Sequence, residues 1–159
     1  MVLALLGGLL LLACIKFCPT QRQKDAAMAA LWGVQEGELV PDAEQMTRCA
    51  QLFGLTFPKS TRPIKMRYLL WQDDAIWLKL EIAKEDISAL IAASPFAGDE
   101  LSETEDRMWA VQDLNWWDPE TVKTFRCGET QLPDLSYLRI LIDTGKKDVA
   151  VVYLKWFQT

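Results

Sequence analysis

The side chains able to carry protons, electrons or ligands form a narrow inventory here: 22 acids, 17 Lys and Arg, four cysteines, seven tryptophans and no histidine in 159 residues. Without histidine there is no imidazole base and no Ser-His-Asp or Cys-His device. Asp73, Asp74, Glu81 and Asp86 are near enough in sequence to raise a paired-carboxylate site for glycoside hydrolysis, which needs two carboxyls roughly 5–9 Å apart. The plainer reading makes them turn and helix-start acids in water. There is no Gly-rich phosphate loop and no metal-ligand spacing among acids or cysteines, so the sequence predicts no metal and no cofactor. It leans away from an enzyme.

Three cysteines remain once Cys14 is set aside: Cys18, Cys49 and Cys127, with no CxxC pair. In an oxidising compartment Cys49 and Cys127 would close a loop of about 78 residues, worth roughly 4 kcal/mol in the chain-entropy model. The other reading makes Cys49 a buried, reduced core residue.

Trp109, Trp116 and Trp117 cluster in the middle of the chain, beside Asn115 and Asp118-Pro119. In extended chain two adjacent residues point to opposite sides, so Trp116 and Trp117 cannot share one face. Two roles stay open. The indoles either cap the open face of a sheet or present a ring on which a glycan stacks or a protein partner anchors.

At the N-terminus, residues 2–13 are apolar and Cys14 closes the run. As a helix, the uncharged residues up to Ile15 reach about 22 Å, short of a hydrocarbon core of about 30 Å. A run of that length suits the apolar region of a signal peptide better than a spanning anchor. Leu11-Leu12-Ala13-Cys14 resembles the lipobox of bacterial lipoproteins. That resemblance implies diacylglycerol on the Cys14 thiol, cleavage just before it, and a domain lipid-anchored in the cell envelope facing the periplasm. The positive charges, however, follow the run, at Lys16, Arg22 and Lys24. The positive-inside rule taken alone holds the domain on the cytoplasmic side of a single N-terminal anchor helix.

Net charge is −5, and every charged residue lies after Cys14. An acidic domain without a basic run gives nucleic acid no electrostatic footprint, which excludes DNA and RNA as main partners. The expected partners are a membrane, through the N-terminal lipid or apolar segment, and a protein or cell-wall glycan.

These residues need elements to position them. Residues 1–14 read as signal peptide or anchor, 15–24 as tether and 25–159 as one α+β domain. Helices are predicted at 25–32, ending at Gly33, and at 42–53, where Met46, Cys49, Ala50 and Phe53 form a stripe ending at Gly54. Residues 65–71 and 75–82 form a hairpin whose second arm turns Ile76, Leu78, Leu80 and Ile82 inward, with Trp77 facing out unless something covers it. A helix over 84–93 follows, on Ile87, Leu90 and Ile91. Residues 98–106 read as an exposed loop. A second hairpin pairs 137–143 with 149–157. Its last arm, apolar on both faces, is expected at the centre of the sheet, under helices on one side and loops or Trp residues on the other. The fold class is therefore α+β: two antiparallel hairpins forming a mainly antiparallel sheet, packed against two or three helices. The order of Phe53-Gly54-Leu55, Phe57-Pro58-Lys59-Ser60, Trp77-Leu78-Lys79-Leu80, Ser94-Pro95-Phe96 and the final hairpin resembles small bacterial lipoprotein-like envelope proteins. That family brings no assigned activity and no functional residues.

Overall fold

In the strand Ala75–Ala83, aliphatic residues at 76, 78, 80 and 82 alternate with Trp77, Lys79 and Glu81, and a pleated strand sends the two sets to opposite faces. That alternation sets the architecture of everything paired to it. The computed structural model describes residues 36–70, 74–98, 101–103 and 114–158, all within one compact unit, Glu36–Thr159. Its elements are β1 (Glu36–Leu39), α1 (Ala43–Phe53), β2 (Arg62–Leu69), β3 (Ala75–Ala83), α2 (Ile87–Ala92), β4 (Phe125–Gln131), β5 (Tyr137–Asp143) and β6 (Val149–Phe157). The strands form one six-stranded sheet in the order β1-β2-β3-β6-β5-β4, every pair antiparallel. The class is α+β, with much more sheet than helix.

Directly opposed residues share a face, so the register defines two sides. On the inner side Met66, Leu78, Leu154 and Ile140 make one row across the sheet, and Tyr68, Ile76, Trp156 and Leu138 the next. All eight are at most 2% exposed. The Trp156 indole donates to Ser136 Oγ at 2.9 Å, which satisfies the one polar atom this large side chain brings inside.

Two α-helices stand among the described residues. Asp42 caps α1 by accepting from the Gln45 amide while Gln45 Oε1 accepts from the Asp42 amide, and Gly54 ends the helix at φ 64°. This leaves Cys49 and Phe53 of the predicted stripe fully enclosed. A 3-10 turn, Lys84–Asp86, leads into α2, which buries Ile87 and Leu90. The Thr56 amide donates to Ala93 O at 2.9 Å and ties the ends of the two helices together.

Both predicted hairpins form, and β6 is central with both faces buried. The expectation of two hairpins is corrected by three: β4 pairs with β5 as well, and β1 adds an edge strand. Both additions have weak signals. β1 has four residues, and the inner side of β4 carries Arg126, Gly128 and Thr130, which do not read as an apolar face. The loop expected at 98–106 is corrected as well: Leu101 is buried, and Ser102 exchanges two 2.8 Å backbone hydrogen bonds with Cys127. Leu101 fits because residue 128 is glycine; a Cβ there would stand 2.8 Å from Leu101 Cδ2. The helix expected at 25–32 lies outside the described residues.

Cys49 and Cys127 are both buried free thiols. Cys49 Sγ lies 3.6 Å from Met66 Sδ on the inner side, whereas Cys127 shares the row of Leu141 and Tyr153 on the other and donates to Ser102 O at 3.3 Å. The sheet stands between them, and the Cys49–Cys127 disulfide is not formed. Burial pushes the Cys49 thiol up to about 12.

Candidate functional site

The outer side of the sheet is mixed where the inner side is apolar. Alternation along β3 and β6 places Lys79 directly opposite Tyr153 there, with the ammonium 5.0 Å from the ring centroid. A part-buried ammonium needs acceptors, and residues 114–122 supply them. The Trp117 amide closes a turn on Leu114 O, and Asp118 starts the 3-10 turn Pro119–Thr121. Folded this way, the segment turns Trp116 O and the Asp118 carboxylate onto Lys79. The first bond is 2.8 Å and the second a close ion pair. Tyr153 donates to the same Asp118 oxygen at 2.8 Å.

The tryptophans cover this polar knot. Trp117, 2% exposed, meets Tyr153 edge to face with centroids 5.3 Å apart, and Trp116 meets Trp117 edge to face at 5.7 Å. Trp117 therefore caps the sheet, in a cluster with Leu114, Val122, Leu141 and Val151. Trp116 is only half-buried. Its indole donates to Glu38 Oε2 at 3.3 Å, and Lys65, ion-paired to Glu38 at 2.8 Å, stands 5.7 Å from its ring. Trp109 and Cys14 lie outside the described residues. Trp77 is covered, at 7% exposure, although it lies on the side of the charges.

Electrostatics decide what the knot can do. Burial works against the Asp118 charge, but the bonds from Lys79 and Tyr153 outweigh it and hold the carboxyl below its ordinary range. Burial, then the bond to Asp118 and the surrounding carboxylates, raise Tyr153, so its phenol stays protonated. Lys79 is committed to two acceptors. The group holds fixed donors and acceptors and offers neither a base near neutral pH nor a free nucleophile. Beside it opens a cleft of about 380 Å³ lined by Lys79, Asp118, Lys123, Asp143, Lys146 and Tyr153.

Of the carboxylates weighed for hydrolysis, Asp74 and Glu81 do not meet. Asp74 and Glu81 lie seven residues apart along an extended run, about 23 Å at roughly 3.3 Å per residue, well beyond any two-carboxylate mechanism. Glu81 is paired with Arg62 and Lys146, Asp86 accepts from Ser60, and Asp73 lies outside the described residues. Among the described residues no group of three His, Cys, Asp or Glu could hold a metal ion, and no helix is long and apolar enough to cross a membrane. A larger groove of about 810 Å³ runs along α1 past Met46, Ala50, Leu55, Phe57 and Pro63, and its walls are mainly apolar.

Sequence reading found Trp116, Trp117 and the turn at Asp118 but missed Lys79 and Tyr153. The available signal was their parity: each stands at an outward position of a strand whose inward positions are all apolar. No protein-family model matches this chain, and no curated protein or solved structure matches it.

Proposed function

We propose that the chain is a non-catalytic binding protein of the bacterial cell envelope, tethered to the membrane by lipid on Cys14 and facing the periplasm. On this reading it takes a protein or glycan partner on the outer face of the sheet, at Trp116 and the nearby cleft that Lys79 and Asp118 line. The observation that carries the binding half is a half-buried indole on the same short segment as Asp118, whose carboxylate lines the neighbouring cleft with Lys79 and Tyr153. Pockets that orient a ligand combine an apolar wall with a few well-placed donors and acceptors. Asp118, Lys79 and Tyr153 are held in place before any ligand arrives, and Trp116 is fixed by Glu38. The tether half is carried by the apolar run ending in Leu11-Leu12-Ala13-Cys14.

Three experiments address the two halves separately. Metabolic labelling with palmitate should mark the wild type and not Cys14→Ser; equal labelling removes the lipoprotein reading. Fractionation of tagged protein distinguishes the periplasmic orientation from a domain held on the cytoplasmic side by an N-terminal helix. For the binding half, Trp116→Ala should keep the melting temperature within a few degrees and lose capture of the partner from membrane extract or of envelope glycan. Undiminished capture of both moves the site elsewhere.

A further inference from the structure

A different part of the outer face carries a charge left over from its neighbours. Register aligns Glu38, Arg67, Trp77, Lys155, Arg139 and Glu129 in one row across all six strands. Most of these charges are matched. Arg67 pairs with Glu36 at 2.6 Å, Lys65 with Glu38 at 2.8 Å, and Arg139 with Glu129. Lys155 makes no ion pair and no hydrogen bond among the described residues. Its ammonium stands 5.6 Å from the Trp77 ring and 5.1 Å from the Phe157 ring. Across the strand pair it faces another cation, Arg139, itself 5.3 Å from Phe157. Like charges directly opposed cost stability, and the pair stands in a domain whose net charge is negative.

We propose that Lys155 and Arg139 together bind a monoanionic oxyanion, a carboxylate or a phosphodiester, on an organic body that rests against Phe157 and Tyr137. The charge count sets the valence. Lys65, Arg67, Lys155 and Arg139 face Glu36, Glu38 and Glu129, which leaves a single positive charge to be met. Geometry sets the class. Directly opposed side chains start about 5 Å apart, close enough for one oxyanion to accept from both, the ammonium acting as a point charge and the guanidinium sharing its donors between the anion and Glu129. Tyr137 and Phe157, stacked with centroids 5.4 Å apart in the adjoining row, supply the apolar flank. Burial, and then the Arg139 charge, depress the Lys155 ammonium, with Glu129 opposing them. A bound anion reverses that depression. The Trp77 indole N–H is buried in the same row without an acceptor, so its resonance reports changes there.

The test is an NMR titration of the full-length protein, following the Lys155 side-chain nitrogen and the Trp77 indole. Glucuronate represents the carboxylate and glycerophosphoglycerol the phosphodiester, with glucose and glycerol as neutral counterparts. Response to one acid probe names its class, and response to both supports the shared chemistry. In each case the Lys155 pKa should rise, the neutral analogues should leave the spectrum unchanged, Lys155→Met should weaken binding at least tenfold, and Lys155→Arg should retain it. Silence from both acids, an equal response to the neutral analogues, or unchanged affinity in Lys155→Met overturns the proposal. Should Lys155→Met fail to fold, Arg139→Gln with the same probes gives the same decision. The site is independent of the cleft beside Trp116 and of the tether, so its failure leaves that reading untouched.

Discussion

Tyr153 on β6 and Asp118 in the loop that crosses the outer face are joined by one 2.8 Å hydrogen bond to the oxygen that also receives Lys79. This contact fastens the tryptophan-bearing segment to the centre of the sheet. Tyr153→Phe should cost about 1 kcal/mol, the usual net value of one intramolecular hydrogen bond. In urea denaturation, Tyr153→Phe combined with Asp118→Asn should lose less than the sum of the two single changes, because both remove the same bond. Strict additivity would separate the two residues.

The same carboxylate gives the acid side of the stability profile its sign. Asp118 is depressed below its ordinary 3.8 in the folded state, so its contribution is present above that value and disappears as pH falls through the folded value. Glu38 and Glu81, also lowered by their lysine and arginine partners, act in the same direction. Melting temperature should therefore fall below about pH 4, and Asp118→Asn should show a shallower fall than the wild type.

At alkaline pH the sign reverses. Cys49 is raised from an ordinary 9.0 to about 12 by burial, and Tyr68 and Tyr153 are raised from 10.0. Raised groups give stability that is complete below the unfolded value and lost as pH rises. Stability should hold to about pH 9 and then decline through Cys49, with the tyrosines joining above pH 10. Cys49→Ala should move the onset of decline toward pH 10, read from melting curves between pH 8 and 11.

Gly37 on β1 sits over the buried Tyr68, where a Cβ would stand 2.6 Å from its hydroxyl oxygen. Gly37→Ala must displace a side chain only 2% exposed, at a cost of roughly 1–3 kcal/mol for overpacking. A wild-type melting temperature in this variant would mean that β1 moves off the sheet edge easily.

Cys49 and Cys127 on opposite sides of the sheet should both titrate as thiols in denatured, unreduced protein, and neither should react readily when native. A Cys14→Ser, Cys18→Ser background isolates the pair. Loss of both thiols on denaturation without reductant would show them joined.

The legibility of each element followed how local its signal was. Residues 42–53 announced a helix through a stripe at helical spacing and a terminal glycine, and α1 has both. The hairpins around β3 and β6 were legible because alternation and turn residues lie within a few positions of one another. Strands β1 and β4 were not, because edge strands carry mixed residues and take their identity from a neighbour distant in sequence. Leu101 looked like part of an acidic loop until Gly128, 27 residues later, made room for it.

By itself the sequence determined composition, charge, the absence of imidazole chemistry, the inward face of the strand at 75–82 and the apolar run ending at Cys14. Tertiary structure decided which outward residues meet: Lys79 with Asp118 and Tyr153, and Lys155 with Arg139. The reason is physical. Periodicity fixes the side of a strand on which a residue points, whereas its neighbour across the sheet depends on register and strand order, which arise only when distant segments pair.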